Sequence, residues 1–217
     1  MLRIDKLKAG RLPPLSFEVA DGKCLSLEGP SGAGKTKLLR AIADLDPAAG
    51  HVFLDGGERR ENPATTWRQQ VRYCSAEPAW WTPTPRGSFP AGSFESKDTT
   101  VQSSRGRGSR LDRLMRSLDL NPGLLDQGIS TLSTGERQRL ALVRALCDEP
   151  KAILLDEPTG SLDPVNAGLV EELIRFLLLS GRNVILVSHD PRQIERLAHT
   201  RLQLAQAAPV GAEGLAP

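Results

Sequence analysis

The stretch Gly29-Pro30-Ser31-Gly32-Ala33-Gly34-Lys35-Thr36 follows the apolar run Cys24–Leu27 and precedes Leu38, Leu39, Ile42 and Leu45, which share one helical face. A glycine-rich turn closing on Lys-Thr between a strand and a helix leaves a chain few folds to adopt. The glycines let successive backbone N–H groups turn inward, and the helix start adds partial positive charge, so the turn becomes an anion cradle. Residues 29–34 then line a polyphosphate with backbone, Lys35 reaches its β- and γ-phosphates, and the Thr36 hydroxyl is a ligand for Mg2+.

The rest of the chain supplies the setting such a cradle needs. Strand-like runs at 50–56, 69–75, 152–156, 183–188 and 200–205 alternate with helical spacings at 35–46, 111–120, 135–150, 164–179 and 191–199. Strands interleaved with helices predict a mostly parallel sheet covered on both faces, with ligands outside the carboxyl ends of the strands. In the helix at 164–179, Val165, Leu169, Leu173, Phe176 and Leu177 are expected to form the buried stripe. Residues 82–110 are rich in Pro, Ser, Gly and Arg without a period, which predicts loop. Trp80 and Trp81 are expected in the core.

Composition narrows the function. Of 217 residues, 28 are basic and 26 acidic, a net charge of +2 that offers no electrostatic case for nucleic acid. Three scattered cysteines suggest neither a disulfide framework nor a zinc site, so a reducing cytosol is the expected home. No window reaches the ~20 apolar residues of a membrane-spanning helix, and the N-terminus lacks a secretory h-region.

Two further strands end in chemically loaded residues. The run Ala152–Leu155 stops at Asp156 and Glu157. A carboxylate there needs a cation or a reacting proton. Asp156 is matched to Mg2+ and Glu157 to a water attacking the terminal phosphate. The run 183–188 delivers His189 to the same edge, where it can donate to that phosphate. At 132–139, Leu-Ser-Thr-Gly-Glu-Arg-Gln-Arg opens a helix whose start is a second anion site around Ser133 and Gly135. Ser133 or Thr134 as an ordinary helix cap, with Glu136 in the first turn, explains the same residues.

Together these motifs resemble the nucleotide-binding subunit of an ATP-binding cassette (ABC) transporter. The 29–36 loop is similar to the family's Walker A motif, 132–139 to its signature, Ile153–Pro158 to Walker B, Ser161–Asp163 to its D-loop and Ser188–Asp190 to the switch-histidine segment. The resemblance implies a P-loop NTPase with a mostly parallel sheet flanked by helices, a small antiparallel N-terminal β part and a reduced helical insert at about 80–135. It implies one domain over 1–205, with 206–217 expected as a disordered tail. It further implies catalysis by Glu157, His189 and Lys35 on ATP, with Mg2+ held at Thr36 and Asp156. Two copies would meet head to tail, each ATP capped in trans by Ser133, Gly135, Glu136 and Asp163 of the other. An integral membrane permease would be the partner, placing the chain at the cytoplasmic face of the inner membrane.

Three departures stand out. Ala76 occupies the place of the family's metal- or water-contacting glutamine; either neighbouring Glu77 substitutes or water fills the coordination shell, with Gln69 and Gln70, earlier on the expected strand, as weaker candidates. The stretch 7–14 lacks the aromatic that stacks on adenine, so either Arg11 covers the base or base recognition is weak. The insert is short of helix. The alternatives are a soluble, non-transport ABC ATPase, or an ATP-dependent switch that hydrolyses weakly because of Ala76.

Overall fold

The computed structural model describes residues 1–94 and 109–205. The strands are β1 (Leu2–Lys8), β2 (Leu15–Val19), β3 (Cys24–Glu28), β4 (Ala49–Leu54), β5 (Gly57–Glu58), β6 (Val71–Cys74), β7 (Ala152–Asp156), β8 (Asn183–Val187) and β9 (Thr200–Gln203). The helices are α1 (Lys35–Ile42), α2 (Ala64–Gln70), α3 (Arg110–Ser117), α4 (Thr134–Leu146), α5 (Pro164–Leu179) and α6 (Pro191–Leu197).

The strands form an antiparallel sheet ordered β2-β1-β4-β5 and a parallel sheet ordered β6-β7-β8-β3-β9. Every residue of β7 and β8 is buried, which explains why these runs read as continuously apolar rather than alternating. Alternation persists in three dimensions. Ile153, Leu155, Val184 and Leu186 pack into one core with α3, α4 and α5. Ala152, Leu154, Ile185 and Val187 pack into the other with α1 and the antiparallel sheet. Burying each such Val, Leu or Ile side chain contributes about 1.5–3 kcal/mol. Because β3, β7 and β8 are parallel neighbours in the order β7-β8-β3, the segments following them open on one edge.

Local chemistry starts the helices. Ser133 caps α4, Asp163 caps α5 ahead of Pro164, and Asp190 caps α6 ahead of Pro191.

Several expectations need correction. The first helix ends at Ile42, not residue 46. The chain turns left-handed at Asp44 (φ 60°), and Leu45 N–H returns to Arg40 O at 2.8 Å, a 6→1 closure that leaves Leu45 exposed. Gln69 and Gln70 end α2 instead of opening a strand, because buried Trp67 anchors that helix through its indole N–H to Ile42 O (3.0 Å). On α5 the core face is Val170, Leu173, Ile174, Leu177 and Leu178, while Val165 and Phe176 are exposed. Trp80 packs against the core, but Trp81 is 68% exposed, with Arg144 lying over both rings (4.3 and 4.5 Å). The tail 206–217 and residues 95–108 of the loop expected at 82–110 lie outside the described residues.

Candidate functional site

The cradle is built by backbone that only glycine adopts without strain. Gly29 has φ 146°, and a Cβ there would lie 2.8 Å from Leu204 O. Gly34, at φ 97°, is the N-cap of α1 and offers no side-chain cap, so the first N–H groups of the helix are left for an external acceptor. Lys35 is buried at the base of the loop. Its Nζ donates to Gly29 O (2.6 Å) and Pro30 O (3.1 Å), which fixes the ammonium beside the cradle.

Residues Ser31–Lys37 line a cavity of about 670 Å3, together with Arg11, Leu12, Ala76, Asp156, Glu157 and His189. The side chains expected around a triphosphate tail are therefore brought together from β3, β7 and β8. Asp156 is buried at the end of β7, and its Oδ2 accepts from Thr36 Oγ1 (2.7 Å) and from Tyr73 Oη (2.9 Å). Burial and the adjacent carboxylate push the Tyr73 phenol well above its ordinary range, so it stays a neutral donor. The oxygen donors of Thr36 and Asp156 form the hard set that suits Mg2+.

Glu157 sits at φ 51°, the left-handed region that costs a side-chain-bearing residue about 1–3 kcal/mol. Its N–H donates to Val187 O (3.0 Å), while its own carbonyl accepts from Gln138 Nε2 (2.9 Å) and Gly160 N–H (3.2 Å). Burial raises the carboxyl's pKa, partly offset by His189. His189 Nε2 is 3.2 Å from Glu157 Oε1, an oxygen that is enclosed and has no well-aligned hydrogen-bond donor. Such a proton-seeking oxygen at a cavity wall is suited to general-base work.

The helix start expected as a second anion site is differently placed. Ser133, Gly135, Glu136 and Asp163 do not line this cavity. Ser133 Oγ accepts from Glu136 N–H (3.2 Å), and Glu136 Oε2 accepts from both Ser133 N–H and Ser133 Oγ (2.8 Å each), a closed capping box. These bonds hold the Glu136 carboxyl below its usual pKa. Asp163 likewise caps α5, accepting from Val165 and Asn166 N–H at 3.0 Å each. The cap reading of Ser133 is therefore correct, and Ser133 is also exposed. Glu77 is exposed and absent from the cavity wall, whereas Ala76 lines it with a methyl group. Arg11 lines the cavity and is exposed.

Sequence reasoning missed Tyr73 and Gln138. Tyr73 sits on β6 opposite Leu154, two residues short of Asp156 on the neighbouring strand, a proximity visible only once the strand pairing is known.

The ABC transporter family model matches residues 12–160. The chain is 38% identical over 197 residues to the sulfate/thiosulfate import ATP-binding protein CysA of Caulobacter vibrioides, covering 87% of this chain and 57% of that one. It is 33% identical over 196 residues to the phosphate import ATP-binding protein PstB 2 of Natronomonas pharaonis, covering 86% and 69%. It spans 52%, 57% and 48% of the length of three curated relatives, about half. A dimeric ATP-binding cassette solved in a post-hydrolysis state with ADP and Pi superposes over 95% of each chain with TM-score 0.78 at 22% identity, a likeness of fold.

Proposed function

The chain belongs to the ABC transporter family, and on that premise we propose that residues 1–205 form one ATP-binding and ATP-hydrolysing cassette that powers a separate membrane permease. In this reading the Ser31–Thr36 backbone and Lys35 bind the phosphates of ATP. Glu157 accepts the proton of the water that attacks the γ-phosphorus, the bond to the ADP oxygen breaks, and phosphate leaves. His189 donates to the γ-phosphate and, from 3.2 Å, steadies the Glu157 carboxylate. Thr36 and Asp156 would hold Mg2+, which would neutralise charge on the triphosphate.

The observation that carries the proposal is that the helix start expected as a second anion site stands apart from the cavity around Lys35. The cavity around Lys35 lacks Ser133 and Gly135, which stand instead at an exposed helix start. A head-to-tail pair gives each ATP the cradle of one copy and the helix start of the other. Binding closes the pair and hydrolysis reopens it. A second cavity of about 660 Å3, lined by Tyr73, Cys74, Trp81, Phe89 and α4 residues, is the natural seat for a helix of the permease. That docking puts the cassette on the cytoplasmic face of the membrane. No helix among the described residues is long and apolar enough to cross it.

The test is phosphate release together with sedimentation in ATP and Mg2+. The Glu157→Gln variant should bind ATP, lose turnover by about 10²–10⁴-fold and accumulate as a dimer. A variant that remains monomeric with ATP, or turns over at the parental rate, overturns the reading. Ala76 favours a second reading, a switch that binds ATP but hydrolyses slowly. Parental turnover near the rate of Glu157→Gln would decide for it.

A further inference from the structure

Gln138 lies five residues after Ser133 on α4 and is 3% exposed. Its side chain leaves the helix toward the loop after β7. There Nε2 donates to the Glu157 carbonyl (2.9 Å), and Oε1 accepts from the Ser161 hydroxyl. Both ends of the amide are engaged, which fixes its orientation.

The partner carbonyl matters because of the backbone it belongs to. Among the non-glycine described residues with positive φ, Glu157 alone lines the phosphate cavity. A left-handed residue of this kind persists only where its surroundings over-determine it. Three hydrogen bonds do so: Glu157 N–H to Val187 O, Gly160 N–H to Glu157 O, and Gln138 Nε2 to Glu157 O. The first two come from the adjoining strand and from the loop itself. The third comes from α4, whose start carries Ser133. Rotation of the peptide after Glu157 re-aims its carboxylate, since both groups hang from one Cα.

We propose that Gln138 is a positioning residue for Glu157, holding its carboxylate over the cradle and tying that aim to the helix that begins at Ser133. The proposal rests on the reading of Glu157 as proton acceptor. In a head-to-tail pair the Ser133 helix caps one ATP while Glu157 serves the other. One amide then carries a shift of α4 at the first nucleotide to the carboxylate at the second.

The variants are Gln138→Leu, which keeps the buried volume and removes both bonds, and Ser161→Ala, which removes the outer bond alone. Each is made alone and in the Glu157→Gln background. The loop keeps its other anchor, Gln193 Nε2 donating to Thr159 Oγ1 (3.0 Å), and the Glu157 carbonyl keeps its bond from Gly160, so Gln138→Leu is expected to fold. Should its melting transition disappear, Gln138→Met carries the same test.

Phosphate release at varied MgATP gives kcat and KM separately. Gln138→Leu should lower kcat about 10–100-fold and leave KM within about 2-fold, because misdirection, not binding, is what fails. Ser161→Ala should cost less than Gln138→Leu. In the Glu157→Gln background, Gln138→Leu should change the residual rate by less than about 2-fold, since its effect runs through that carboxylate. A slow Glu157→Gln with Gln138→Leu at the parental kcat overturns this proposal alone, as does an undiminished loss in the Glu157→Gln background. Glu157→Gln at the parental rate overturns the assignment of Glu157 itself, and this proposal with it.

Discussion

Ser133 has an observed role as a cap and a proposed one in trans, and two substitutions separate them. Its hydroxyl closes the capping box with Glu136 at 2.8 and 3.2 Å. Alanine removes that cap at about 1 kcal/mol, whereas glycine at an N-cap costs only a few tenths. In a domain of this size about 1 kcal/mol corresponds to roughly 2–4 °C in Tm. Ser133→Ala should therefore melt about 2–4 °C below the parent and Ser133→Gly within about 1 °C of it. Both variants lack the hydroxyl that the head-to-tail reading aims at the other copy's ATP. A hydrogen bond to a charged group is worth about 1.5–3 kcal/mol, or about 10–100-fold. A symmetric pair has two such sites, so the dimer dissociation constant should rise about 10²–10⁴-fold in both variants alike. Melts are recorded without nucleotide. Dimerisation is followed by analytical ultracentrifugation with ATP in the Glu157→Gln background. Dimer constants that follow the Tm order, or that match the parent's, would refute the trans role and leave Ser133 a cap.

Other outcomes follow from the same geometry. Burial raises the Glu157 pKa above its ordinary value of 4.5, so the folded state favours the proton. That stability is present below the ordinary value and is lost as pH rises through the raised one. Glu157→Gln should thus melt above the parent at pH 7–8, with the gain shrinking toward pH 4. Tyr73→Phe removes a donor 2.9 Å from Asp156 and should cost about 1.5–3 kcal/mol in urea unfolding. Glu77→Ala should leave the Mg2+ dependence of phosphate release unchanged, because Glu77 stands off the cavity wall. Gly34→Ala combines φ 97° with a Cβ 3.1 Å from Leu12 Cγ, and should lower both Tm and ATP affinity measured by calorimetry.

What the sequence made legible is what the chain holds contiguously. The 29–36 loop carries its own glycines, lysine and threonine, and the buried runs leading to Asp156 and His189 declare their tips by composition. What stayed hidden depends on pairing across distance. The Tyr73–Asp156 bond joins residues 83 apart, and the Gln138–Glu157 bond joins a helix side chain to a loop carbonyl. The helical state of Gln69 and Gln70 is a tertiary decision as well, tied to the Ile42 carbonyl that receives the Trp67 indole. On α5, Val165 and Phe176 are as apolar as their buried neighbours, and only packing tells them apart.

The contact of Leu12 with Gly34 joins two layers of the molecule. Leu12 belongs to the turn between the first two strands of the antiparallel sheet, yet its methyls form the floor on which the first turn of α1 rests. The proposed grip on a polyphosphate is thereby made dependent on how firmly a separate sheet is seated. Loosening that sheet far from any ligand should soften the cradle before it unfolds the domain, so nucleotide affinity becomes a sensitive gauge of damage at the N-terminal edge.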